Sequence, residues 1–101
     1  MMNKFGMYVK FTTHEGQRDA FAQILLEAAA GMQSTEACEL YIVNVSDSEP
    51  ETVWVTEIWS DSAAHEASLA MEETKEMIQR ARPLIASVEQ IKLRPLGGKG
   101  V

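Results

Sequence analysis

Val53-Trp54-Val55-Thr56-Glu57-Ile58-Trp59, followed by Ser60-Asp61-Ser62-Ala63-Ala64-His65-Glu66-Ala67-Ser68-Leu69, reads as a strand running straight into a capped helix. The first seven residues are mostly β-branched or aromatic, the side chains that suit a pleated, half-buried surface. Their alternation puts Trp54, Thr56 and Ile58 on one side and Val53, Val55, Glu57 and Trp59 on the other. Each side carries substantial apolar area. Ser60 or Asp61 then offers a short oxygen acceptor to the first free amides of a helix that begins with Ala63 to Leu69.

Working outward, Cys38 to Val45 is a second strand-like run, joined to Val53–Trp59 through the polar turn Ser46-Asp47-Ser48-Glu49-Pro50-Glu51, so the two form a hairpin. Upstream, Phe21, Ile24, Leu25, Ala28, Ala29 and Met32 recur at spacings of three and four, one stripe of an amphipathic helix over Gln17 to Met32. Gly16 is its expected N-cap, and Asp19 lies in its first turn, where the helix dipole favours a negative charge. Phe5 to Thr12 alternates and is the first strand. Downstream, Met77, Ile78, Ala81, Leu84 and Ile85 keep helical spacing, with Glu76 and Arg80 placed as an ion pair and Pro83 forcing a kink or an end. Val88 to Leu93 is the last strand, and residues 95–101 read as a flexible tail.

The order βαββαβ is a ferredoxin-like, split βαβ arrangement of the α+β class, with both helical regions on one sheet face. The other face stays bare and apolar. An identical sheet covers such a face at least cost, so the expected partner is a second copy, joined through the sheet faces as a homodimer.

Composition sets the outer limits. A chain of 101 residues with 46% hydrophobic and 24% charged side chains has room for one domain, taken as residues 1–94. Its net charge of −6 opposes the phosphate attraction that DNA or RNA binding needs. No run of 18 or more apolar residues marks a membrane span, and Met1-Met2-Asn3-Lys4-Phe5-Gly6 lacks the apolar core of a signal peptide; the expectation is a cytoplasmic protein. Cys38 is the single cysteine and is read as a buried, inert thiol; with His14 and His65 as the two histidines, neither an internal disulfide nor a zinc cage can form. No nucleotide loop or serine-nucleophile motif is present, so no cofactor and no metal is expected.

From Phe5 to Leu93 the sequence resembles the antibiotic biosynthesis monooxygenase family. The closest stretch is Val55 to Leu69, similar to that family's strand ending in Glu-x-Trp, polar cap and Ala-His-containing helix. Gly16 leading into an amphipathic helix is a second match, and Cys38-Glu39-Leu40-Tyr41 resembles the family's Gly-Cys-x-x-Tyr strand opening, with Ala37 where glycine is common. The resemblance implies a dimeric α+β barrel with a pocket in each subunit between sheet and helices. Some members oxygenate polycyclic phenols or quinols without metal or flavin, and others cleave haem. Haem-cleaving members place an asparagine on the first strand and a histidine on the second helix, where this chain has Val9 and Ile78 or their neighbours. Many members carry a second histidine three residues after the one matching His65, and here that residue is Ser68.

An oxygenase without a cofactor needs an electron-rich substrate that can lose a proton, a dry cavity and a donor for the developing charge. His65 is the expected catalytic base, against the plainer reading of a solvated helix histidine. Trp59 is either a wall for a flat ligand, with its indole N–H as a donor, or simple core. Tyr41 can lend a hydroxyl to substrate or merely pack. Met7, Val9 and Met77 complete the expected substrate-binding set, with Met71 as a further adaptable lining. Glu57 sits at the pocket edge or forms a salt bridge across the dimer. His14 is expected to be solvated, and Glu72, Glu73 and Glu76 to form an exposed helix face.

These readings lead to a cofactor-independent monooxygenase acting on a small aromatic phenol or quinol. The alternatives are a non-enzymatic dimeric protein that binds a small apolar molecule, including a stress-response role, and a structural dimer with a filled core.

Overall fold

The computed structural model describes residues 3–101. Met1 and Met2, the start of the expected 1–94 domain and of the segment read against a signal peptide, lie outside the described residues. The chain runs β1 (Phe5–Thr13), α1 (Arg18–Gly31), β2 (Cys38–Val45), β3 (Thr52–Trp59), α2 (Ser62–Leu69), α3 (Glu72–Ala81) and β4 (Ile85–Leu93), with a 3₁₀ turn over Arg82–Leu84. The strands form one antiparallel sheet in the order β2-β3-β1-β4, the α+β ferredoxin-like arrangement that the alternation and helical stripes imply.

Four details differ from the sequence reading. Gly16 is not the N-cap of α1: it turns the chain at φ +78°, and Gln17 occupies the cap without a side-chain bond. The second helical region, counted as one helix in the βαββαβ order, is two, since α2 ends at Leu69 with Ala70 as its C-cap and α3 restarts after an extended Met71. Pro83 ends α3 through the 3₁₀ turn, so β4 begins three residues before Val88. Arg80 does not pair with Glu76; its Nη2 lies 3.0 Å from Glu27 on α1, a tertiary partner that local spacing cannot reveal. The cap of α2 is Asp61, whose Oδ1 accepts the Ala64 N–H at 2.7 Å, a contact worth about 1 kcal/mol.

The core lies between the sheet and the helices. Phe21, Val53, Val55 and Trp59 are its fully buried side chains, and Met7, Val9, Ile24, Leu25 and Ala81 close around them. Each large apolar group buried here contributes about 1.5–3 kcal/mol relative to exposure. The helices pack over β2 and β3 and on one another, whereas Val88, Gln90 and Lys92 on the same side of β4 stay exposed. This face is therefore closed at one edge and open at the other.

The opposite face has no helix. It carries Leu40, Ile42, Trp54, Ile58, Tyr8, Ile91 and Leu93, with Ile91 59% and Leu93 52% exposed. Tyr8 and Trp54 stack with centroids 5.6 Å apart, and the Lys10 ammonium sits 5.1 Å from the Trp54 ring. Among the described residues, no helix is long and apolar enough to cross a membrane.

Candidate functional site

β-strand registry builds the floor of the site. Tyr41 lies opposite Glu57, Glu57 opposite Met7, and Met7 opposite Lys92, so one row across the helix-side face reads Tyr41, Glu57, Met7, Lys92. The next row reads Val43, Val55, Val9, Gln90. A bulge between Cys38 and Leu40 absorbs Glu39, which lets Cys38, opposite Trp59, and Tyr41 share this side despite their odd spacing. Helices α2 and α3 roof the rows and leave a cavity of about 630 Å³.

His65, Trp59, Tyr41, Met7, Val9 and Met77 all line this one cavity. Met71 does not; it is exposed beside α1 and α3. His65 projects from α2, with its ring 5.0 Å from Phe5 and edge-on to Trp59 at 5.6 Å. Its side chain is only 13% exposed, so the imidazole faces the cavity rather than bulk water. Ser68, where many family members carry a second histidine, is buried and donates its hydroxyl to the His65 carbonyl at 2.6 Å.

Glu57 is the group the sequence left undecided. Its side chain is 12% exposed and lies inside the cavity, on the face opposite the bare side of the sheet. Oε1 accepts the Trp59 indole N–H at 2.9 Å and stands 3.9 Å from His65 Nε2. The Trp59 donor, read as available to a ligand, is thus engaged by Glu57. Burial pushes the Glu57 carboxyl above its ordinary range, against the opposing pull of the Trp59 bond and the His65 charge. Burial and the neighbouring Glu57 carboxylate push the Tyr41 phenol well above its usual value, so Tyr41 stays a neutral hydroxyl. Burial likewise raises the Cys38 thiol, which donates weakly to the Leu40 carbonyl. A thiol held protonated is a poor nucleophile.

The pairing of Glu57 with His65 was legible only in part. Alternation assigns Glu57 and Trp59 to one face but says nothing of depth, and His65 joins them only because the chain turns back over the sheet after Asp61. Phe5, which stacks on the imidazole, and Lys92 and Gln90 on β4 were also missed; their strand parity was the available signal.

The model of the antibiotic biosynthesis monooxygenase family matches residues 5–80. The chain belongs to this family. A protein from Chloroflexus aurantiacus J-10-fl, provisionally named an antibiotic biosynthesis monooxygenase, is 35% identical, with 94% of this chain and 95% of that one covered at a TM-score of 0.85. A similarly named protein from Caulobacter crescentus CB15 shares the fold at 16% identity, with 95% and 92% covered and a TM-score of 0.88. A Shewanella oneidensis protein does so at 22% identity, covering 94% and 93% at a TM-score of 0.86. A comparison with curated proteins finds no match. Val9 and Ile78 both line the cavity, and neither has an atom that binds iron.

Proposed function

We propose that this protein is a cofactor-independent monooxygenase of phenol- or quinol-type aromatics, with His65 as its general base. The observation that carries the reading is one juxtaposition. A nearly buried imidazole faces an apolar cavity, with a buried carboxylate 3.9 Å from its Nε2. A flat ring would lie on Met7, Val9 and Met77 between Trp59 and Tyr41. His65 takes the acidic substrate proton, and Glu57 stabilises the imidazolium that results.

The anion left behind is electron-rich enough to reduce dioxygen directly, and recombination forms a carbon–oxygen bond. For an anthrone-type substrate, the ring CH₂ becomes a hydroperoxide, which loses its remaining C–H proton and expels hydroxide to give the ketone. One oxygen atom enters the product and the other leaves as water. All four electrons come from the substrate, so no external reductant is required.

The working unit in this proposal is a homodimer in which the bare sheet faces of two copies cover one another, and the single thiol, Cys38, suits a reducing cytoplasm. Oxygen uptake with a panel of hydroquinones and anthrones tests the activity, with His65→Ala as the control. Uptake with at least one substrate that falls in the variant supports the proposal. Saturable binding of the panel with no uptake would instead make this a non-enzymatic binding protein.

A further inference from the structure

The cavity has two chemically different ends. At one end Glu57, His65 and Ser68 meet; at the other, Lys92 enters the same cavity from the uncovered edge strand β4, with Gln90 beside it. Between them runs the apolar floor of Met7 and Val9. Glu57 and Lys92 occupy one cross-strand row with Met7 between them, and strands lie about 4.7–4.9 Å apart, so their backbones are about 10 Å from each other. Glu57 is already committed to Trp59 and His65. Lys92 has no ion-pair partner among the described residues; nor has Arg82, the other cation lining this cavity, which lies in the 3₁₀ turn before β4 rather than in the row of Glu57.

We infer that Lys92 is a specificity-determining residue that selects aromatic ligands bearing a carboxylate on the end remote from the reacting hydroxyl. The inference rests on the oxygenase reading for which end reacts, but the binding preference stands on the cavity alone. A single ring would leave most of a cavity of about 630 Å³ unfilled. A fused two-ring system lying along the row from Glu57 to Lys92 spans both ends. Its hydroxyl then meets His65 while its carboxylate reaches the lysine ammonium, a charge-assisted contact beside an apolar floor. The lysine stem covers the ligand edge and its head remains near water, so the contact adds selectivity without burying an unpaired charge in the empty site. The net charge of −6 would repel an anion at most of the surface, which makes a local cation at the mouth the element that admits one.

The test is calorimetric titration of the full chain with 6-hydroxy-2-naphthoate and with 2-naphthol, which differ only in the carboxylate. The expected result is about tenfold tighter binding of the naphthoate, a preference that Lys92→Gln abolishes while leaving 2-naphthol affinity unchanged. Equal affinities in the wild type, binding of neither probe, or a preference that survives Lys92→Gln would each overturn the assignment. So would a change in oligomeric state in Lys92→Gln, which would make the lysine a partner-chain contact. Naphthoate preference without oxygen uptake by any quinol would sustain this inference and sink the oxygenase reading.

Discussion

On β3, Val53, Val55 and Trp59 are at most 1% exposed, whereas Trp54, Thr56 and Ile58, each one residue away, keep partial exposure. The strand, and much of the residue chemistry, is the same on both sides; what differs is the presence of helices. The covered face makes polar groups answer to their surroundings, as Glu57 does by bonding to Trp59 and holding its proton to higher pH. The open face leaves Glu89 and Lys10 in contact with water and stacks aromatics without enclosing them. The proposed function accordingly places chemistry on the covered side and association on the open one.

The strongest way to break that division is to place the same charge on each side. Val55→Asp should abolish cooperative folding, because a charge buried without a partner costs several kcal/mol against a total stability of about 5–15 kcal/mol. Circular dichroism during thermal unfolding reads this directly. Ile58→Asp, three positions along the strand on the open face, should retain the secondary-structure signal and sediment as a monomer at micromolar concentration, where the wild type is expected to sediment as a dimer. If the wild type already sediments as a monomer, the open face is not an interface.

His65→Ala sharpens the other half of the comparison. Turnover of an oxidisable quinol should fall on the order of a hundredfold, with little change in melting temperature. Retention of full turnover in the variant would mean that the substrate reaches the site already ionised.

Glu57→Gln separates stability from activity. The folded protein holds the Glu57 proton above the ordinary pKa of 4.5, so this group's contribution is most favourable at acid pH and is lost as pH rises through the folded value. The glutamine keeps an acceptor for the Trp59 indole and has no charge to desolvate. Its melting temperature at neutral pH should match or exceed that of the wild type, while turnover falls; a lower melting temperature at pH 7 than at pH 4, relative to wild type, would contradict this account. The smallest effect is expected from Trp59→Phe, which keeps an aromatic wall and removes only the donor to Glu57.

Much of this was written in local periodicity. Alternation in Phe5–Thr12 and Val53–Trp59 and the three-four stripe from Phe21 to Met32 define elements that differ from the observed ones by about a residue at each end. The six side chains expected at the site meet in one cavity because they fall on the covered face or on the helices above it. Long-range geometry was less legible. The Arg80–Glu27 pair joins helices far apart in sequence, and the depth of Glu57 depends on α2 folding back above it. Lys92 shows only its strand parity locally, and its place in the cavity arises only when β4 pairs beside β1.

The two tryptophans sit on opposite faces of one strand, and this makes the molecule its own pair of optical reporters. Trp59 is enclosed at the cavity wall beside His65 and Glu57, so its emission should respond to what enters the pocket. Trp54 lies on the bare face, its indole N–H bonded to Thr52 and its ring between Tyr8 and Lys10, so its emission should respond to whatever covers that face. In Trp59→Phe the remaining fluorescence follows assembly alone, and in Trp54→Phe it follows occupancy alone, without any attached dye.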